Sequence, residues 1–255
     1  MSRPLVGRTI VVTRPRAQAG PLADLLRERG ARVLLAPTIR IVPARTRALG
    51  EALEQLAAGR FDWVTITSRA TVEMLAGRIS PTSVRAKVAT VGEGTADALR
   101  TWAGRDPDLV PATFTTASLG RAMPPGTGRV LCLRADVAPA GLEGALRRKG
   151  WSVERADAYR TVVPAQLPEP ARRALAADAV DAVTFTSAST VRGFIELWAR
   201  PQASWTAVCI GPVTARAARA HDLAVGAVAR PHTIEGVVAA TERLLGARRE
   251  RAKER

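Results

Sequence analysis

The sequence predicts an α/β fold built from parallel sheets and made twice over, and two observations carry that expectation. Short apolar runs alternate with amphipathic stretches along all 255 residues, which is the pattern of strands and covering helices in a parallel sheet. The chain also repeats itself. FDWVTITSRAT, from Phe61 to Thr71, returns as VDAVTFTSAST, from Val180 to Thr190, with Asp62 and Asp181 119 residues apart.

Taken in order, the first half predicts strands over Thr9 to Thr13, Val33 to Val42, Trp63 to Thr67 and Lys87 to Val91. Helices fall near Pro21 to Arg29, Arg47 to Ala58, Ala70 to Leu75 and Thr95 to Ala103. The second half repeats the strands over Val130 to Leu133, Val153 to Val163, Ala182 to Thr186 and Ala207 to Ile210, with the halves joining near Gly126. At the same offset Gly92, Thr95 and Ala96 fall on Gly211, Thr214 and Ala215, and at an offset of 120 Arg14, Gly30 and Val33 fall on Arg134, Gly150 and Val153. The long segments ending at Pro43 and Pro164 also align at the offset of 120, apart from a one-residue shift at the final prolines, and read as connectors. Within them Ile39 meets Tyr159, the only tyrosine. A position that only packs keeps an apolar residue in both copies, so Tyr159 is a candidate for chemistry, although tyrosine is also a common strand residue.

Composition excludes several classes. No apolar run approaches the roughly 18 residues of a membrane span, and Met1 opens no signal-peptide pattern, so a soluble cytoplasmic protein is expected. Cys132 and Cys209 each sit in an apolar strand-like run and read as core thiols. The only histidines, His221 and His232, form no metal-ligand pattern. The formal charge is +15, from 38 Lys+Arg against 23 Asp+Glu. Nucleic acid, a membrane surface or a polyanionic small molecule would each answer to it. So would arginine-biased composition, since lysine occurs only at Lys87, Lys149 and Lys253. Aromatics make up 4%, too few for the stacking platforms that read single strands.

In parallel sheets ligands lie beyond the carboxyl ends of the strands, and the repeated motifs fall there. Thr67-Ser68 and Thr186-Ser187 place hydroxyls at helix N-caps, and Gly92, Gly94 and Gly211 leave the backbone bare before Thr95 and Thr214 open helices. Free N–H groups at such turns bind carboxylates or phosphates. One exposed terminus contributes only about 0.3 to 1 kcal/mol, whereas four together suit a ligand with several anionic groups. The same residues would serve equally as plain caps and turns.

The order VTRP, TSRATV, VGEGTADAL, LRAD with a helix ending KGWSV, then AYR, FTSASTV, IGPVTARA and PHTIEGV resembles the uroporphyrinogen-III synthase family along the full chain. The resemblance implies two flavodoxin-like α/β domains joined by a two-stranded β-ladder. One is discontinuous, 1–36 plus 166–255; the other is 44–158; and 37–43 with 159–165 are the connecting strands. Two lobes would face one ligand across a cleft. That ligand is hydroxymethylbilane, a linear tetrapyrrole with eight carboxylates, cyclised with inversion of ring D and loss of water. No metal or cofactor is implied. Tyr159 matches the family's tyrosine and would donate to the leaving hydroxyl. Thr214 matches the threonine of its Gly-Pro-x-Thr-Ala loop. Thr67, Ser68, Gly92, Thr95, Ser187, Gly211 and Thr233 match binding-loop positions, and Arg14 and Arg134 sit where a carboxylate could reach. The chain departs from the family where Ala135, Asp136 and Val137 replace its usual glycine and arginine. The resemblance further implies a monomer that binds neither nucleic acid nor membrane and that touches, at most transiently, the preceding pathway enzyme. A non-catalytic two-lobed binding or regulatory protein of the same fold is the alternative.

Overall fold

The computed structural model describes residues 3–200 and 204–253. In chain order the first elements are β1 (Thr9–Val12), α1 (Arg16–Glu28), β2 (Arg32–Leu35), β3 (Arg40–Pro43), α2 (Arg47–Ala57), β4 (Trp63–Ile66), α3 (Arg69–Ala76), β5 (Lys87–Thr90) and α4 (Glu93–Ala103). Then come α5 (Thr116–Ala122), β6 (Arg129–Ala135), α6 (Gly141–Arg147), β7 (Ser152–Val162), α7 (Glu169–Ala176) and β8 (Ala182–Phe185). The chain continues through α8 (Ala188–Leu197), β9 (Thr206–Cys209), α9 (Pro212–Arg219), β10 (Val225–Val228) and α10 (Ile234–Lys253).

The chain divides into two compact units, one of Met1–Arg40 with Val162–Arg255 and the other of Ile41–Thr161. Each holds one five-stranded sheet. The first sheet runs β10-β9-β8-β1-β2 with every neighbour parallel. The second runs β3-β7-β6-β4-β5, in which β7, β6, β4 and β5 are parallel.

Both faces of each sheet are buried, which is why the strands read as unbroken apolar runs. In the first unit Val11, Val183 and Phe185 pack on one face while Ile10, Val12 and Val208 pack on the other. Phe194 meets Phe185 and Trp205 edge-on, at centroid distances of 5.4 and 5.5 Å. In the second unit Val64, Ile66, Leu131 and Leu133 face one core, and Trp63, Val130 and Cys132 face the other. Each such side chain contributes about 1.5 to 3 kcal/mol on burial.

The repeated aspartates have a structural task. Asp62 Oδ2 accepts from the Arg129 amide at 2.8 Å, and Asp181 Oδ2 accepts from the Thr9 amide at 2.8 Å. Each pins the start of its strand to the neighbour, so the shared Asp fixes register rather than chemistry. Arg8 seals the second of these with an ion pair to Asp181 at 2.8 Å.

Three elements differ from the sequence expectation. The single strand expected over Val33 to Val42 is two: β2 lies in the first sheet and β3 in the second. Pro37 has no N–H to offer a ladder. Thr38 next to it turns inward, and its hydroxyl donates to the Thr190 carbonyl at 2.9 Å. The repeat partner of Pro37 is Asp157, and there the strand continues unbroken as β7. Helix α1 begins at Arg16, ahead of Pro21, which rides on the exposed side of the helix. Finally, β10 escaped the sequence reading because Gly226 interrupts its apolar run. That glycine is needed, since a Cβ there would lie 2.2 Å from the Thr206 methyl. At the repeat offset β10 meets Leu109, which makes only an isolated bridge to Ala89 between Pro107 and Pro111.

Candidate active site

The strand ends of the second unit bring several of the expected residues together. Ser68 is the N-cap of α3, accepting from the Thr71 amide at 3.2 Å, with its hydroxyl 3.1 Å from that of Thr71. Tyr159, on β7, is half-buried against the core of the unit. Its phenol lies near enough to Ser68 for that side chain to bear on its protonation. Burial pushes the phenol's pKa above its ordinary value, with Ser68 and the charge of Arg134 opposing and Asp136 reinforcing. Tyr159 is therefore a neutral O–H donor throughout the physiological range, held at the head of a helix.

Arg134 is placed differently from the expectation. Its side chain is only 2% exposed, with Nη1 3.6 Å from the equally buried Glu143 and Nη2 donating to the Pro139 carbonyl at 3.2 Å. Arg155 reaches the same carboxylate at 3.6 Å and donates to the carbonyls of Ala135, Ala138 and Asp136 at 2.9 to 3.1 Å. Two guanidinium groups thus hold the β6–α6 loop by its carbonyls, coupled through one buried acid. The charge of Arg134 is spent inside the unit rather than offered at its surface. The sequence carried a signal for this, since Glu143 sits between Leu142 and Leu146 on the buried face of α6.

Thr95 and Thr214 occupy the third positions of α4 and α9 and are almost completely buried. Gly92 and Gly211 are the N-caps, in extended backbone that any residue adopts; a Cβ would press on Phe114 at Gly92 but make only ordinary contact with His232 at Gly211. Thr67 is half-buried beside Ser68. In the first unit Ser187 caps α8 with a reciprocal box: its hydroxyl accepts from the Thr190 amide at 3.1 Å, and the Thr190 hydroxyl accepts from the Ser187 amide at 3.2 Å. Arg14 is half-buried just past β1. Thr233 accepts from the Gly236 amide at 3.1 Å. Beside it a hollow of about 340 Å³, lined by Pro212, Arg219, Arg230 and His232, opens along α9.

The helix heads are not equivalent toward anions. The first turns of α3, α8 and α9 contain no acidic residue. Those of α4 and α10 carry Glu93 and Glu235. Glu235 is held below the usual carboxylate range by its own amide and the Thr233 hydroxyl. A carboxylate already at a helix N-terminus answers its dipole and repels another. Among the described residues no group of His, Cys, Asp or Glu is arranged to hold a metal ion, and no helix is long and apolar enough to cross a membrane.

Fold and loops together define the class: a parallel-sheet α/β protein whose duplicated Ser/Thr- and Gly-headed helices begin at the carboxyl ends of its strands. A family model described as uroporphyrinogen-III synthase HemD matches residues 20–239. The chain belongs to the uroporphyrinogen-III synthase family. It is 32% identical over 257 residues to the uroporphyrinogen-III synthase of Synechococcus elongatus, a match covering 94% of this chain and 96% of that one. It is 31% identical to the porphyrin biosynthesis protein HemD of Ruminiclostridium josui, where the match covers 93% of this chain and 49% of the longer relative. A crystal structure of a mutant uroporphyrinogen III synthase from the extremely thermophilic bacterium Thermus thermophilus shares the fold, with a TM-score of 0.66 at 24% identity, over 93% of this chain and 98% of that one.

Proposed function

We propose that this protein cyclises hydroxymethylbilane to uroporphyrinogen III, with inversion of ring D and loss of water. The observation that carries the reading is family membership over residues 20–239. Tyr159 gives it a donor. In this reading its hydroxyl protonates the departing hydroxyl of the bilane, the C–O bond breaks, and water leaves behind a conjugated azafulvene cation. The substituted carbon of ring D attacks that cation, giving a spiro intermediate. A C–C bond of the spiro centre then breaks and re-forms at the free carbon of the same ring. The proton lost as the ring regains aromaticity balances the one given to the leaving group. The protein's contribution is position and electrostatics, which together supply a large share of most rate enhancements.

The same reading assigns substrate carboxylates to the uncommitted amides at the heads of α3, α8 and α9, beside Thr67, Ser68, Ser187, Gly211 and Thr214. Arg14 lies just past β1, Thr233 just before α10, and Gly92 and Thr95 at the head of α4. Arg134 serves by holding its loop. The wider architecture follows the same reading: an internal duplication folded into two flavodoxin-like domains, 1–36 plus 166–255 and 44–158, with 37–43 and 159–165 as a connecting ladder. The placement of β3 beside β7 supports that ladder.

The test is direct. Freshly made hydroxymethylbilane is incubated with the protein, the products are oxidised and the isomers separated. Spontaneous closure gives the type I isomer, so type III product in excess over buffer is expected, and a mixture no richer in type III than buffer refutes the assignment.

A further inference from the structure

Among the described residues the exposed large apolar side chains are Val6, Val42, Phe114, Val137 and Val213. Single exposed apolar residues are ordinary, but three of these lie at carboxyl ends of strands. Val137 lies in the β6–α6 loop, Val213 in the first turn of α9, and Phe114 beside the β5–α4 turn. Phe114 is the one aromatic residue of the five, and 58% of it is open to solvent.

Its seat is specific. A Cβ on Gly92 would lie 3.0 to 3.3 Å from Phe114 Cγ, Cβ and Cδ1, so the side chain rests directly on the bare backbone of the α4 N-cap. The other copy of the repeat keeps the arrangement with a different ring. There His232 lies 3.6 to 3.9 Å from where a Cβ on Gly211 would be, with Nδ1 2.8 Å from the Ala229 carbonyl. In both copies a threonine follows the ring and accepts from the amide three residues on, Thr115 from Ser118 and Thr233 from Gly236. The frame is thus a ring laid on a glycine at the head of a helix. At α4 that head already carries Glu93, which disfavours an incoming carboxylate and leaves the apolar ring face as the feature the turn offers.

We propose that Phe114 is a platform for one pyrrole ring of the linear tetrapyrrole, with Gly92 its seat. The inference rests on the proposed function. A substrate of aromatic rings bearing carboxylates needs apolar faces as well as anion sites, and offset stacking of a pyrrole on a fixed phenyl ring supplies one.

The experiment compares Phe114→Ala, Phe114→Leu and Phe114→Tyr with the parent in the isomer assay, measuring KM, kcat and thermal midpoint. Phe114→Ala is expected to raise KM about tenfold with kcat near parental, and Phe114→Tyr to restore KM to within about twofold, as ring stacking of ordinary strength requires. Phe114→Leu keeps apolar bulk without the ring face and should fall between them. Thermal midpoints should stay close to the parent's, because the ring is largely solvated already. Parental KM in both Phe114→Ala and Phe114→Leu overturns the proposal, as does a KM that rises only in step with lost thermal stability. A parent that makes no type III isomer refutes the functional reading instead, so the two failures are distinct.

Discussion

Removing one oxygen from Tyr159 tests the proposed chemistry most directly. In Tyr159→Phe the ring keeps its packing against the core of the second unit, and Ser68 keeps both of its contacts with Thr71. The change therefore costs at most the equivalent of one hydrogen bond between neutral groups, about 0.5 to 1.5 kcal/mol, or a fall of no more than about 1 to 6 °C in thermal midpoint for a chain of this size. Turnover should suffer more. General acids contribute about 100- to 10,000-fold, and a leaving group activated by an electron-rich pyrrole needs less help, so a kcat loss of about 10- to 100-fold is expected, with KM little changed. The product should remain type III, because ring orientation is set by the binding loops. The parent's activity should fall on the alkaline side as pH rises through the raised pKa of the phenol, and the variant should lack that limb. The assay is single-turnover cyclisation, where chemistry limits the rate. Equal single-turnover rates for Tyr159→Phe and the parent would refute the reasoning and leave Tyr159 a packed strand residue.

Glu143→Leu should cost about 3 to 5 kcal/mol by denaturant unfolding, since it leaves the buried charge of Arg134 without its counter-ion; a loss under about 1 kcal/mol would show that the loop carbonyls alone satisfy that guanidinium. Thr214→Val is nearly isosteric at a buried site, so activity should fall by more than the change in unfolding midpoint accounts for; equal losses would mark the hydroxyl as structural. Stability should fall above pH 9. Burial raises the thiols of Cys132 and Cys209 from 9.0 to about 11 and about 12, and Tyr159 shifts the same way. The unfolded chain releases these protons first, so this stabilisation is complete below pH 9 and is lost as pH rises through the folded values, by up to about 1.4 kcal/mol per pH unit for each group. A denaturation midpoint flat from pH 8.5 to 10.5 would contradict it.

The strands that carry the site were readable because each is buried on both faces and so appears as a short apolar run between turn residues. The helix starts at Ser68 and Ser187 were readable because a hydroxyl before an amphipathic stretch has one common use there. What escaped depended on partners far away in sequence. The break between β2 and β3 is a choice between two sheets, and only the missing N–H of Pro37 hinted at it. The burial of Arg134 needs Glu143 and Arg155, and a strand-end arginine looks the same in sequence whether it faces ligand or core. The nearness of Tyr159 on β7 to Ser68 at the head of α3 exists only in the fold, and the repeat marked the tyrosine's asymmetry without revealing that neighbour.

That asymmetry also bears on how, in the proposed function, one copy of the repeated motif would come to carry chemistry. Both copies keep Ser-x-x-Thr at the head of a helix. In the first unit the cap is closed upon itself, since Thr190 both accepts from the Ser187 amide at 3.2 Å and donates to the Ser187 carbonyl at 2.8 Å. The residue equivalent to Tyr159 there is Ile39, buried where a Cβ on Gly193 would come within 3.0 Å of it. Its place is filled by packing, and no polar group is left to find a partner. In the second unit Ser68 caps its helix with the same geometry, yet its hydroxyl has a second neighbour in Tyr159. A serine oxygen can accept twice and donate once, so the cap leaves Ser68 capacity for a further polar partner. Both copies carry the serine cap, and only one carries the tyrosine. In the proposed function, tyrosine at the strand position where the other copy has isoleucine adds an acid without disturbing the Ser68 cap that the fold depends on.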